Sequence, residues 1–162
     1  MRTWHVGAIV VAGYLIYIIG NGLVQKSAAF AKAQSLTKEK GIVNLGAGPQ
    51  GVFSYQISIA PEVVANVDIA SDGLPSFIEA NLEQRLPFGD KQFDVAFASH
   101  VLEHLENWRL ALGEMQRVAD FTVIVLPHPL SIGGWIVPEH KQHFSFSDIK
   151  WMRNLPNTFV FA

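Results

Sequence analysis

A glycine-rich turn, Asn44-Leu45-Gly46-Ala47-Gly48-Pro49-Gln50-Gly51, most constrains what this chain can fold into. It follows a short apolar run, Gly41-Ile42-Val43, and a second apolar run, Val63 to Val67, ends on Asp68. A strand, a glycine turn, a short helix and a carboxylate-tipped strand form the βαβ order that holds nucleotides. Glycine removes the Cβ where main chain must approach a ligand, and Asp68 can accept hydrogen bonds from two ribose hydroxyls. The same residues also suit plainer roles, a tight turn for Gly46 and Gly48 and a cap for Asp68.

Further along, Leu86-Pro87-Phe88-Gly89-Asp90-Lys91-Gln92-Phe93-Asp94 leads through an apolar strand into His100-Val101-Leu102-Glu103-His104. This block resembles the class I S-adenosylmethionine-dependent methyltransferases of the broad small-molecule type. In that family LPF-x-D-x-x-FD precedes the fourth strand and H-x-x-EH follows it. The resemblance runs from Gly41 to Ile149 and implies an α/β, Rossmann-like, mostly parallel sheet flanked by helices. It also implies S-adenosylmethionine as cofactor, bound by Asn44, Gly46, Gly48, Asp68, Asn81 and Ser99. The family usually carries an acidic residue where Asn44 stands, a glycine at Gln50 and an aspartate at Asn81. Restoring the pattern with Asn44→Asp and Gln50→Gly is expected to leave binding equal or tighter. Members commonly have two more strands after the fifth, so this version reads as trimmed.

Methyl transfer from a sulfonium needs positioning, a dry pocket and sometimes a base. His100, at the tip of the fourth strand, and His128, in Pro127-His128-Pro129 after the fifth, are the candidate bases. His100, Glu103 and His104 also have the inverted zinc-peptidase spacing, with all three on one face if the segment is helical. A metal would need a third-ligand frame from His128, His140 or His143. The block sits where methyltransferases carry these residues without metal, so no metal is expected. His143, in a stretch similar to the family's H-x-x-x-FS, reads as structural.

The N-terminus differs in character. Trp4 to Val24 has no Asp, Glu, Lys or Arg, and Ala8 to Ile19 is almost wholly apolar. As a helix it spans about 30 Å, the hydrocarbon thickness of a bilayer. A membrane anchor, a cleaved signal peptide and a buried core helix compete. Length, together with Trp4, Asn21 and Lys26 at the flanks, favours one transmembrane helix. Lys26, Lys32, Lys38 and Lys40 follow it and Arg2 precedes it, which places the globular part in the cytoplasm by the positive-inside rule. The expected division is a transmembrane helix over 4–24, a juxtamembrane helix and linker over 25–40, and a methyltransferase-like domain over 41–162.

At 162 residues, 49% hydrophobic and net charge −2, the chain can build one core and presents no polyanion-binding excess. Nucleic acid is therefore not an expected partner. The expected partners are the bilayer, a small-molecule or lipid-like acceptor, and other subunits of a membrane assembly. No cysteine is present, which excludes disulfides and thiolate metal sites. Periodicity places strands at Ile42–Leu45, Val63–Asp68, Phe77–Leu82, Phe93–Ser99 and Phe121–Leu126, with a further one at Thr158–Phe161. Helices fall at Val52–Ser58 and Asn107–Val118, with a last one capped by Ser147. Two functions follow: a membrane-anchored methyltransferase at the cytoplasmic face, or an inactive methyltransferase-fold subunit with a structural role.

Overall fold

The computed structural model describes residues 22–48, 52–70, 73–131 and 137–162, with the side chains of Val52 and Phe53 left aside. The strands are β1 (Ile42–Leu45), β2 (Val63–Asp68), β3 (Phe77–Glu79), β4 (Phe93–Ser99), β5 (Ala119–Val125) and β6 (Thr158–Phe161). They form one sheet in the order β3-β2-β1-β4-β5-β6. Every neighbouring pair is parallel. The helices are α1 (residues 22–36), α2 (Val52–Ser58), α3 (Trp108–Val118) and α4 (Phe146–Arg153).

Alternation along the central strands explains the two-sided core. Val43, Leu45, Ala96, Ala98 and Ile124 face one layer, where Trp108, Ala111, Leu112, Met115 and Val118 of α3 close over them. That α3 stripe is the one its three- and four-residue spacing gives in sequence. Ile42, Val95, Phe97, Val123 and Val125 face the opposite layer, against Ile57 of α2 and Ala29 and Ala33 of α1. Chain order reverses between β1 and β4, so a crevice opens at their carboxyl ends.

Helix α1 is more than a linker. Ala29 and Ala33 are fully buried, and their small size lets the helix sit close on the sheet, while Phe30 packs edge-on against Phe97 at 5.6 Å. Thr37 ends it by bonding the Ala33 carbonyl through both its N–H and its hydroxyl. Asp94 then fixes the path into β1, one carboxylate oxygen accepting from the N–H groups of Lys38, Lys40 and Gly41 at 2.8, 2.9 and 3.1 Å. The span Trp4–Val24 lies outside the described residues except for 22–24, which open α1. Among the described residues, no helix is long and apolar enough to cross a membrane.

Element boundaries differ from expectation at several places. β3 stops at Glu79 rather than Leu82, because Asn81 folds into a turn, its side-chain oxygen accepting from Glu83 N–H at 2.8 Å. β5 starts at Ala119, pairing with Phe93. Helix α4 is capped by Ser145, not Ser147: Ser145 Oγ accepts from Asp148 N–H while the Asp148 carboxylate accepts from Ser145 N–H. An acidic residue three positions after a serine was the available signal.

The LPF-x-D block owes its form to Arg117. The guanidinium donates to Phe88 O and Asp90 Oδ1 at 2.8 Å each, and to Leu86 O at 3.2 Å. It also forks onto both oxygens of Glu114 at 2.8 and 2.6 Å, and Leu86 N–H donates to Glu114 as well. Arg117 thereby holds the Glu114 carboxyl below its ordinary value of 4.5. A carboxyl lowered on folding stabilises the fold above its unfolded value and loses that contribution as pH falls through the folded one. Thermal stability should thus decline on acidification below about pH 5. A Glu114→Gln variant, less stable at neutral pH, should show a flatter profile when melting is followed by circular dichroism. Equal slopes for the two proteins would count against this assignment.

Candidate functional site

The crevice at the switch point is a cavity of about 320 Å³. This lies at the low end of the range, about 300–1,000 Å³, in which small-molecule sites fall. Gly46 and Asp68 form one wall, Asn81, Leu82 and Glu83 another, and His100, Val101 and His104 a third, with Lys141 at the edge.

The first wall depends on missing Cβ atoms. Gly46 has φ +72° and its N–H donates to Val67 O at 2.8 Å; a Cβ there would collide with the Val101 side chain. Gly48 N–H donates to Asp68 Oδ2 at 2.7 Å, and a Cβ on Gly48 would fall 2.7 Å from that same oxygen. Ile69 N–H donates to the other oxygen, Oδ1, at 2.7 Å. Asp68 is therefore held by two main-chain donors while only partly buried. A carboxylate offers about four lone-pair directions, so two remain for a ligand. The residues present suit a ribose.

His100 belongs to the cleft but not to a helix face. It stands before a single 3-10 turn, Leu102–His104, in the left-handed region at φ +56°. From there its Nδ1 lies 3.1 Å from Glu103 Oε1, and Glu103 is completely buried. A carboxylate at Nδ1 selects the tautomer that carries its proton there, leaving Nε2 basic.

Other expected site residues fall elsewhere. Asn44 lies on the opposite face of β1, donating to Ser58 Oγ at 3.1 Å and Asn66 Oδ1 at 3.0 Å. Ser99 lines the same small space beneath α2, a cavity of about 10 Å³. Asn81 does reach the cleft. His128 does not line it: its Nδ1 accepts from Leu130 N–H at 3.1 Å and its ring meets that of Phe146 edge-on. That bond puts the neutral ring's proton on Nε2, the wrong tautomer for an outward-facing base. His143 is exposed in a separate small pocket with His128 and His140. Glu83 and Lys141 were missed in sequence, and nothing local marks Lys141; His104 was read there only as part of the H-x-x-E-H spacing.

The Asn44 network reverses one expectation. Asn66 uses its own amide to donate to Ser58 O and Pro75 O, both at 2.9 Å, so it cannot flip to offer Asn44 a donor. Asn44→Asp would lose two donated bonds and set a buried charge against Asn66 Oδ1. It should cost about 2–3 kcal/mol rather than favour binding. A denaturant midpoint equal to wild type would refute this.

The methyltransferase domain family matches residues 40–120. No curated protein matches the chain. Among solved structures, YcgJ from Bacillus subtilis is 17% identical, with 79% of this chain aligned to 65% of that one at TM-score 0.54. A possible histamine N-methyltransferase from Thermotoga maritima is 20% identical over 75% of this chain and 60% of that one, at TM-score 0.44. A putative methyltransferase from Haloferax volcanii, solved with its activator Trm112, is 17% identical over 59% of this chain and 46% of that one, also at 0.44. The chain thus spans between 46% and 65% of the length of these structures.

Proposed function

Because the chain belongs to the methyltransferase domain family, we propose that it is an S-adenosylmethionine-dependent methyltransferase, tethered by residues 4–24 and working at the cytoplasmic membrane face. The observation that carries the cofactor assignment is Asp68, braced by Gly48 and Ile69 N–H groups with acceptor capacity left toward the cleft. Bound there, S-adenosylmethionine supplies an electrophilic methyl group on a sulfonium whose departure leaves a neutral thioether. The chain's own part is to hold and to exclude water. Asp68 takes the ribose hydroxyls, Gly46 lets main chain come close, and Asn81 lines the nucleoside side. His100, oriented by buried Glu103, accepts the acceptor's proton at Nε2.

The direction of α1 supports a membrane-associated acceptor. Phe30, in the middle of the helix, packs on Phe97 toward the end of β4, and Lys38, just past its last turn, meets Asp94 at the start of β4. The helix therefore runs against the strands, and an anchor preceding it would bring the cleft edge toward the bilayer. Lysines 26, 32, 38 and 40 on the globular side favour cytoplasmic orientation.

Calorimetry on the full chain in detergent, with S-adenosylmethionine and its demethylated product as ligands, tests the reading. Saturable heat for both is expected. Absence of heat and of any thermal shift would leave the chain as an inactive subunit of a membrane assembly. Protease outside intact cells should leave the globular domain whole; its digestion would overturn the topology.

A further inference from the structure

The geometry points to a divalent-metal site formed by Glu103, His104 and His140, with zinc the ion its donors favour. This set differs from the H-x-x-E-H triplet of the sequence: His100 drops out and a histidine from the segment before α4 comes in. One ligand atom from each of the three residues lies within 4.8 Å of the others. Tetrahedral zinc with bonds of about 2.0–2.1 Å needs ligand atoms about 3.3 Å apart, so side-chain rotation on the order of 1 Å would close the site.

Three independent features prepare these residues. Glu103 is completely buried, its Oε1 meets His100, and its Oε2 has no hydrogen-bond partner. A buried carboxylate oxygen left in that state is costly unless a cation compensates it. Lys26 places a half-buried positive charge in the neighbourhood, yet Oε2 remains without a bond. His104 Nδ1 lies 3.1 Å from the Glu139 carbonyl oxygen. Donation to a main-chain carbonyl is how metal-binding histidines fix their tautomer, and it frees Nε2 as the ligand. Finally, Lys141 N–H and Gln142 N–H both donate to Glu103 O, at 2.8 and 3.0 Å. The segment carrying His140 is thus stitched to the turn carrying the other two ligands, and the His104 and His140 rings meet edge-on at 4.8 Å.

Two imidazoles and one carboxylate make a borderline donor set that suits zinc over magnesium or calcium. Three protein ligands leave a fourth position. His104 also lines the cleft, so that position can take a water or a thiol, hydroxyl or carboxylate of a molecule held there. The site does not depend on methyl-donor binding, and its test is separate from that reading.

Zinc chloride titrated into the full chain, with cobalt(II) as a coloured substitute reporting tetrahedral ligation, decides the matter. One equivalent should bind. Glu103→Gln, which can keep the contact to His100, and His140→Ala, in a partly exposed segment, should each weaken it by at least about 10–100-fold, the range that even outer-shell changes produce. His128→Ala should bind as wild type. No stoichiometric binding would overturn the site, as would binding that survives both ligand changes. Binding lost in His128→Ala or His143→Ala instead would assign the ion to surface histidines and overturn it equally.

Discussion

Replacing Asp94 by alanine should lower stability by about 2–4 kcal/mol, among the largest effects of any single side chain outside the apolar core. Asp94 sits at the start of β4, 5% exposed, and one of its oxygens gathers three main-chain N–H groups from the α1–β1 link. Hydrogen bonds to a charged acceptor contribute about 1.5–3 kcal/mol each, and water can replace part of that at the more exposed Lys38 and Lys40. The Gly41 N–H has no such recourse, because Gly41 is buried between Asp94 and the Val64 side chain. For a domain of this size the loss corresponds to a melting-temperature drop of about 5–12 °C. Asp94→Asn keeps an acceptor oxygen but not its charge, and should fall between. Alanine and asparagine variants melting together near wild type would show that the link is held by α1 packing instead.

That role recasts the most recognisable part of the sequence. Asp90 and Asp94 are the two acidic residues of the LPF-x-D-x-x-FD block. In the fold, Asp90 pairs with Arg117 and Asp94 caps the α1–β1 link, so both build the frame behind the cleft. The periodic elements were readable because each depends on its own residues: the α3 stripe, the apolar run of β4 and the β2 run ending on Asp68 carry their pattern locally. Asn44 was misjudged for the opposite reason. Its partners, Ser58 and Asn66, are 14 and 22 residues away, and no local signal says that an amide near the end of β1 faces away from the cleft. The Ala29 and Ala33 face of α1 had the same difficulty. Small residues following a long apolar run read as a juxtamembrane helix with no packed face until the sheet supplies the surface they fit. His100 was legible as a cleft residue from its place at a strand tip, but its pairing with Glu103 required the left-handed turn that replaces the expected helix.

Asp68→Ala should weaken binding of S-adenosylmethionine or its demethylated product by about one to two orders of magnitude. Two charge-assisted bonds to ribose hydroxyls would be lost, with part of their contribution returned by water. The structure adds a second effect. The same carboxylate holds Gly48 N–H on one oxygen and Ile69 N–H on the other, so its removal also loosens the glycine turn that shapes the cleft wall. Affinity and stability should therefore fall together in the alanine variant. Asp68→Asn separates the two: its one carbonyl oxygen can keep either Gly48 or Ile69 but not both, and it loses the charge that strengthens a bond from a hydroxyl. It should retain most of the thermal stability and still bind the cofactor several-fold more weakly. Calorimetry and thermal melts on the three proteins read these quantities side by side. If the alanine variant melts earlier yet binds with wild-type affinity, Asp68 is a turn cap alone, and the nucleoside must be held by other residues of the cleft.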